Sequence, residues 1–435
     1  MPTSLFFKTV KNILNNCIED HVTRKSEFVI DPSTNFSRNR KLPLAEVIKV
    51  VLHFGSKSLN NELLEHYSYN ADLPTSSALI QQRSKFSSTL FKSIFNQFTH
   101  SFTHFETFKG YRIFAIDGSV INIPHNPKDS ETYIQSNKNN KGYNQIHGNV
   151  IYDLLNKVYI DAVIQMSRKK HERQALIDMV KESTINENVI IIGDRGYEGY
   201  NVYANINEKG WKFLIRVQCG NVKSMVNTLG LPDTEEYDER VQRILTRKQS
   251  IAKKDSDLYK YMSSSSPFDF FTPENPLYTM DLRVVKVKLD DGSVQCFVTN
   301  LDEKTFSAEV IKDLYRLRWN IETSFRELKH TLALDYFHSK KKESILQEIY
   351  AKLTIYNFCA IITTTVKINR KELKYNYQVN FSQAVSICKQ YLKLNNAFFA
   401  IEALIKKFIS PIRPGRNHPR NIKNKTFLSF NHRVA

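Results

Sequence analysis

One short segment constrains the fold more than any other part of the chain. Residues 188–194 read Asn-Val-Ile-Ile-Ile-Gly-Asp, an unbroken apolar run that stops at a carboxylate. A strand that is apolar on both sides leaves no side for water, so other elements must cover both of its faces. The sequence therefore predicts an α/β fold whose central strand ends at Asp194.

Further strands precede and follow this segment. Residues 112–117 read as a strand that ends at an Asp-Gly turn, and residues 146–155 and 157–165 read as two more strands. Together these three predict an antiparallel meander. The pattern also predicts the elements that complete the core, which are helices over 171–182 and 200–209 and a strand over 212–217.

The α/β pattern breaks between residues 219 and 305. This stretch is polar and contains several serines and prolines before it gives two alternating strands, 282–289 and 294–299, joined at Asp290-Asp-Gly-Ser293. An Asp-Gly pair between alternating runs is a strong hairpin signal. The segment therefore predicts a β-rich insertion.

The first 105 residues are polar and helical. The spacing predicts helices over 43–54 and 60–67, the second capped by Asn60. It also predicts a third helix that is capped by Thr75 and continues through Phe86. Two short helices joined by a polar turn fit both a helix-turn-helix that reads DNA and an ordinary packed pair.

The charge balance indicates the class of partner. Lysine and arginine total 62 against 44 acidic residues, a net charge of +18. A surplus of this size in a folded chain suggests a polyanion, most often nucleic acid. A basic surface that is merely solvated is the alternative, and the same choice applies to the basic tail over 406–435.

Cysteine spacing and hydropathy indicate where the protein works. The five cysteines lie far apart and form no Cys-x2-Cys pair, which argues against a disulfide framework and against a cysteine zinc site. The most apolar later segment, residues 353–366, is shorter than a membrane span and contains Asn357, so it predicts a buried helix. We expect a cytoplasmic protein without a membrane partner.

Two aspartates share one setting. Asp117 and Asp194 each end an apolar strand and are followed by a turn that contains glycine. Ligand sites collect at strand ends in α/β sheets because the loops there present side chains. A single aspartate at such a place is as often an ordinary turn residue, so the pair needs a third partner.

A helix predicted from Ala308 to about Leu334 supplies that partner. At about 100° per residue its side chains divide into a core stripe, a solvent stripe and a charged stripe on the border between them. A helix that only packs needs the first two stripes. The charged stripe consists of Tyr315, Arg318, Glu322 and Lys329. Surface ion pairs of the i,i+4 type are the alternative explanation.

Three carboxylates have a specific use in phosphodiester chemistry. Two divalent metal ions about 4 Å apart activate the attacking oxygen and stabilise the leaving oxygen. Hard cations such as Mg²⁺ prefer carboxylate oxygens. Arg318 and Lys329 would add positive charge for the phosphates.

The helix motif resembles a known family. The string Tyr315-x2-Arg318-x3-Glu322-x6-Lys329 resembles the Tyr-Arg-Glu-Lys motif of the DDE transposases of bacterial cut-and-paste insertion sequences. The spacing within this helix is the most specific part of the likeness, which covers about residues 60–345.

The two aspartate segments carry the rest of the likeness. Residues 113–119 and 190–197 resemble the first and second aspartate motifs of the family, in the family's order. The gap from Asp194 to Glu322 resembles the β-rich insertion that this group carries within its core.

The resemblance implies a fold and a site. The fold would be α/β, with an RNase H-like mixed-sheet catalytic core interrupted by a β-rich insertion and flanked by helical N- and C-terminal regions. Asp117, Asp194 and Glu322 would be the catalytic residues and would ligate two Mg²⁺ ions, with Mn²⁺ as a substitute. Contacts to DNA are expected from Tyr315, Arg318 and Lys329.

Two neighbours of these motifs are further candidates for DNA contacts. Trp319 could stack on a base moved out of the helix or lie at the edge of the core. Arg195 could touch DNA or only shape the turn after Asp194.

The resemblance also implies partners and a division of the chain. The enzyme would act in the bacterial cytoplasm as a homodimer that pairs two transposon ends, with the N-terminal helices reading the terminal inverted repeats before the element joins a target DNA. The expected regions are 1–105 (DNA-end binding), 106–218 (first part of the core), 219–305 (insertion), 306–345 (second part of the core) and 346–435 (helical C-terminal region with a basic tail).

Two alternatives stay open. One is an RNase H-like nuclease that cuts without joining strands. The other is a DNA-binding protein derived from a transposase that has lost catalysis, although the presence of all three carboxylates argues against it.

Overall fold

The computed structural model describes residues 3–38, 40–135, 141–219, 224–368, 376–394 and 400–412. The strands are β1 Arg112–Ile123, β2 Tyr133–Ile134, β3 Tyr143–Asp153, β4 Val158–Met166, β5 Val189–Gly193, β6 Lys212–Val217, β7 Tyr237–Thr246, β8 Tyr259–Tyr261, β9 Leu277–Lys288, β10 Val294–Thr299, β11 Tyr377–Val379 and β12 Ile409–Pro411. The helices are α1 Thr3–Thr23, α2 Leu44–His53, α3 Leu59–His66, α4 Ser76–Arg83, α5 Thr89–His100, α6 Glu172–Glu182, α7 Tyr200–Glu208, α8 Gln249–Ala252, α9 Ala308–Leu317, α10 Trp319–Arg326, α11 Lys342–Thr364, α12 Phe381–Lys393 and α13 Ile401–Lys407.

The centre of the molecule is a mixed sheet with the order β4-β3-β1-β5-β6. β1 pairs antiparallel with β3, and β3 pairs antiparallel with β4, while β1, β5 and β6 run parallel. Three antiparallel strands continued by two parallel ones in this order form an RNase H-like sheet. The predicted α/β class and its mixed-sheet core are therefore confirmed.

The apolar run that opened the prediction forms the middle of this sheet. Val189 and the three isoleucines of β5 are fully buried, and β1 and β6 pair with the strand on either side. Burial of each of these side chains contributes about 1.5–3 kcal/mol to stability. The strand therefore holds the sheet together at the point where the chain emerges at Asp194.

The predicted β-rich insertion does not form a separate sheet. Its strands extend the core sheet beyond β6 in the order β10-β9-β7-β8, and β10 pairs antiparallel with β6, with Val298 opposite Ile215. The hairpin prediction is confirmed as β9 and β10. Its turn needs a glycine because Gly292 has a φ of +80°.

The long helix α11 joins the two ends of the chain. It contacts α1, α2 and α5 from the N-terminal region and α12 from the C-terminal region. Its buried residues include 353–360 and 362 of the predicted apolar segment 353–366. A buried ion pair between Arg83 and Glu348, 2.9 Å apart, fixes α4 against this helix.

Details of the N-terminal helices differ from the prediction. Ser58, not Asn60, caps α3 by accepting from the backbone N–H of Asn61. Thr75 caps α4 as predicted. However, α4 ends at Arg83 and does not continue to Phe86, because the backbone of Phe86 forms a β-bridge with Val29.

Two further expectations concern the membrane and the tail. Within the described residues, no helix has both the length and the apolar character needed to cross a membrane. The expected basic tail lies outside the described residues from position 413 onward.

Candidate active site

Strand register places the two aspartates side by side. β1 and β5 pair in parallel with Ala115 opposite Ile192. Asp117 and Asp194 each lie two residues further along the chain, so side-chain alternation directs both carboxylates to the same side of the sheet. The structure therefore brings together two of the three predicted carboxylates.

Asp117 does not end its strand, contrary to the prediction. β1 continues to Ile123. The Asp-Gly pair stays extended because β3 keeps pairing with it, with Asp117 opposite Val150 and Gly118 opposite Asn149. Asp117 thus projects from the middle of a long strand, where pairing with β3 holds the backbone that carries it.

Asp194 directly follows β5. Its Oδ1 accepts a hydrogen bond of 2.8 Å from the backbone N–H of Gly196 and so caps a 3₁₀ turn over Arg195–Tyr197. The preceding Gly193 has no room for a side chain, since a Cβ there would lie 2.8 Å from Cδ1 of Ile215. The close packing of β5 against its neighbours therefore fixes where the second carboxylate emerges.

The glutamate helix is not the single helix that the spacing predicts. It divides into α9 and α10 at Arg318, whose backbone N–H bonds to the carbonyl of Tyr315, three residues earlier. A π-helical turn over Glu327–Thr331 follows α10. Such local changes of helical pitch are frequent at functional sites. Here the break coincides with the residue whose side chain enters the site.

Arg318 links the first aspartate to the glutamate. Its guanidinium lies 3.4 Å from Oδ2 of Asp117 through Nη1 and 3.3 Å from Oε1 of Glu322 through Nη2. The residue is only 4% exposed. The i,i+4 pair of Arg318 and Glu322 therefore exists, but it is part of a buried contact to Asp117 and not a solvated surface pair.

The electrostatics show that the carboxylates repel one another. The pKa of Asp117 is raised to about 6, chiefly by burial and in smaller part by the nearby charges of Asp194 and Glu322. The backbone N–H of Gly118, 2.8 Å from Oδ1, and the charge of Arg318 act in the opposite direction. Positive charge at this place would therefore be stabilising.

These side chains fit hard divalent cations by donor type and by charge. All three are carboxylates, and their mutual repulsion is the kind that a bound cation relieves. In the described parts of the chain, however, no three histidine, cysteine, aspartate or glutamate side chains converge as a ligand set. Arg318 contacts both Asp117 and Glu322, at the place where these carboxylates would have to converge to form such a set.

The other predicted residues surround this centre. Tyr315 is buried, with its ring 4.8 Å from that of Phe297. Trp319 is 49% exposed, and its ring lies 4.9 Å from the guanidinium of Arg318, so it does not lie in the core. Lys329 donates to the carbonyl of Val120 at 2.7 Å.

Arg195 is exposed on the turn after Asp194. Its role, and the contacts to DNA expected from the other four residues, stay predictions.

His147 and Glu172 form a pair beside Gly118 that the sequence argument did not assign to the site. His147 lies opposite Val120, is buried, and has Nε2 3.0 Å from Oε1 of Glu172. This pair holds the pKa of Glu172 at about 2, chiefly through the hydrogen bond with His147. A Cβ on Gly118 would lie 2.3 Å from His147 Nε2. The glycine after Asp117 was therefore a signal of close packing and not of a turn.

Comparison with known proteins gives one family. Residues 108–358 match the sequence model described as the transposase DDE domain. The putative transposase InsL for insertion sequence element IS186A of Escherichia coli (strain K12) is 40% identical over 72 residues, which is 16% of this chain and 20% of that protein. The transposase for insertion sequence element IS231C of Bacillus thuringiensis subsp. berliner is 26% identical over 141 residues, 31% of this chain and 29% of that protein.

The match spans about a fifth of the length of the first of these relatives. Among solved structures, a cryo-EM structure of the piggyBac transposase synaptic complex with hairpin DNA aligns with a TM-score of 0.45 and 12% identity. That alignment covers 95% of this chain and 87% of the other.

Proposed function

The chain belongs to the family of transposases with a DDE domain, and we propose that it is the transposase of an insertion sequence. It binds the terminal inverted repeats of the element, cleaves DNA strands there and joins the element to a target. Asp117, Asp194 and Glu322 are the catalytic residues of this proposal.

One observation carries the proposal. Three carboxylates come from separate parts of the sequence, and Asp194 and Glu322 lie close enough to Asp117 to raise its pKa. Asp117 and Asp194 each lie two residues beyond the paired residues Ala115 and Ile192, and Arg318 contacts both Asp117 and Glu322. A structural ion pair would need one carboxylate, and the accumulation of negative charge is unfavourable unless a cationic partner or substrate uses it.

The three carboxylates would hold two Mg²⁺ ions, with Mn²⁺ as a substitute. Such ions would supply Lewis-acid activation of the attacking oxygen and stabilisation of the leaving oxygen. The protein's own groups do the positioning. β1 carries Asp117, the end of β5 positions Asp194 beside it, and Arg318 holds Glu322 toward Asp117.

Groups at the rim would handle the DNA. Lys329 donates a hydrogen bond to the carbonyl of Val120, which lies on the same strand as Asp117. From there its ammonium can reach a phosphate beside the cleaved bond. The half-exposed ring of Trp319 offers a face on which an unstacked base can lie. These roles, together with contacts from Tyr315 and Arg195, belong to the proposal.

The proposal includes the assembly. A homodimer in the bacterial cytoplasm would pair two element ends, and the N-terminal helices would read the inverted repeats. Because α11 packs against α1, α2 and α5, a DNA end bound by the N-terminal helices would be held in a fixed relation to the catalytic sheet.

Purified protein incubated with a supercoiled plasmid that carries the element's ends, with Mg²⁺ and in a parallel reaction with EDTA, tests the function. The ends are to be taken from the DNA directly outside the gene, where the proposal expects matched inverted repeats. Joined products that need the metal support the transposase. Cleavage without joining would favour an RNase H-like nuclease, and binding without any nick would favour a DNA-binding protein that has lost catalysis.

A further inference from the structure

A strip of basic side chains leads away from the loop of Asp194. We propose that this strip, built on the proposed transposase function, binds the phosphates of the target DNA during strand joining. The basic strip is defined by Arg168, Lys169, Lys170, Arg173, Arg195 and Lys342.

One end of the basic strip lies at the start of α11. Lys342 and Lys169 are 173 positions apart in the sequence, yet both bind Glu131. Their ammonium groups lie 3.1 Å and 2.7 Å from its two carboxylate oxygens. The side chains of Lys342 and Lys169 are 48% and 73% exposed. One carboxylate thus holds two exposed cations from separate segments on the same surface.

The other end of the basic strip reaches the second aspartate. Arg173 donates from Nε to the carbonyl of Gly196 at 2.9 Å, within the turn that Asp194 caps. Lys170 lies 2.7 Å from Oε1 of Glu172, and Arg195 is exposed directly after Asp194. A phosphate backbone lying along these residues would therefore end at the catalytic carboxylates.

The charge of the strip exceeds what its ion pairs can neutralise. Among the described residues, the ion pairs of these six cations involve two carboxylates, Glu131 and Glu172, so the strip holds more cations than the carboxylates that pair with them. Exposed ion pairs contribute only about 0–1 kcal/mol to stability, so folding gives little reason to collect so many cations here. DNA binding gives a strong reason, because cations that neutralise phosphates release the counterions of the DNA.

The residue types favour target DNA over the terminal repeats. Lysine and arginine on an exposed surface bind phosphates and carry no sequence information by themselves. The terminal repeats are constant and must be recognised by sequence, whereas a target must be held whatever its sequence is. A strip that contacts phosphates at the edge of the site suits the second task.

The test separates joining from cleavage. K169Q/K342Q removes two charges from the strip, and K253Q/K254Q removes two exposed charges beside α8 as the matched control. Both variants receive pre-cut element ends and a random-sequence target in a strand-joining assay. For K169Q/K342Q we expect the target concentration at half-maximal joining to rise about tenfold or more, with cleavage of uncut ends unchanged.

Binding to a random-sequence duplex is measured separately by fluorescence anisotropy over a series of salt concentrations. The slope of log affinity against log salt should decrease by about one per lysine removed. E131Q should act in the opposite direction and tighten binding, since it removes a negative charge from the strip.

Three results would contradict the proposal that the basic strip binds target DNA. They are an unchanged affinity in K169Q/K342Q, an equal loss in K253Q/K254Q, or a loss of end cleavage with normal joining from pre-cut ends. The anisotropy measurement does not need catalysis. Absence of cleavage by the unmodified protein would therefore count against the proposed function alone, and the strip would still be tested.

Discussion

Arg318 contacts Asp117 across 201 positions of the sequence, with Nη1 3.4 Å from Oδ2. The contact joins the break between α9 and α10 to the middle of β1. Because the same guanidinium also reaches Glu322, the position of the glutamate depends on the strand that carries the first aspartate. A guanidinium that belongs to the protein thus connects the two carboxylates.

The first prediction concerns the stability of the metal-free protein against pH. The pKa of Asp117 is raised by burial to about 6, from an ordinary value of 3.8. Between these two values the folded state binds more protons than the unfolded state, so the free energy of unfolding falls as the pH rises through this window. D117N has no carboxyl group at this position, so its free energy of unfolding does not fall in this way. In EDTA it should be more stable than the unmodified protein by about 2–3 kcal/mol at pH 7 to 8, with no difference near pH 4.

Urea unfolding at several pH values measures this difference. D313N is the matched control, since Asp313 is on α9 with 71% of its side chain exposed, and should show almost no effect. A stability difference between D117N and the unmodified protein that does not vary with pH would contradict the assignment of the raised pKa to Asp117.

The second prediction concerns the glutamate. E322Q keeps the size of the side chain and its contact to Arg318 but removes the charge. Cleavage of element ends should fall about a hundredfold or more, because an amide is a poor partner for divalent cations, whereas end binding should stay unchanged. E309Q, an exposed glutamate on α9, should cleave normally. Cleavage by E322Q at the normal rate would remove Glu322 from the site.

Local patterns predicted the elements better than their ends. β6 and the β9–β10 hairpin follow from alternation and turn chemistry within a few residues, and the structure has them. The strand end at Asp117 was wrong because an Asp-Gly pair favours a turn only where no neighbouring strand competes. Pairing with β3 decided the outcome, and that partner is about thirty positions away.

In the site, too, the sequence predicted local features but not those that depend on tertiary contacts. Periodicity correctly put Arg318 and Glu322 on one side of a helix, and their contact is observed. The break at Arg318 was not predictable, because it depends on burying the guanidinium against Asp117. Likewise, local sequence cannot show that β10 joins β6. The link between the insertion and the core is a matter of tertiary pairing.

The third prediction concerns Trp319. Since its side chain is 49% exposed, W319A should change the free energy of unfolding by less than about 0.5 kcal/mol. Affinity for element ends with one unpaired base at the cleavage position should fall about tenfold, because base stacking on an aromatic ring contributes about 1–3 kcal/mol. W319F should retain most of the affinity.

End duplexes with 2-aminopurine at that position report stacking by fluorescence quenching. Y261A removes another exposed aromatic ring, on β8, and should leave both affinity and quenching unchanged. Equal quenching by W319A and the unmodified protein would exclude Trp319 as the stacking residue.

The fourth prediction concerns the attachment of the N-terminal helices. The side chains of Arg83 and Glu348 are 2% and 0% exposed and lie 2.9 Å apart. Burial pushes the pKa of Glu348 upward, but Arg83 and His338 outweigh it and hold the pKa at about 2. R83A leaves this carboxylate buried without its main partner, so the free energy of unfolding should fall by about 3–5 kcal/mol.

R24A breaks a pair with Asp20 in which both side chains are about 40% exposed, and should cost less than about 1 kcal/mol. Urea unfolding followed by far-UV circular dichroism compares the two variants with the unmodified protein. If the R83A and R24A midpoints agree, α4 is not anchored through Glu348. If R83A unfolds early as expected, limited proteolysis should release the N-terminal region first, since the same contact is what attaches α4 to α11.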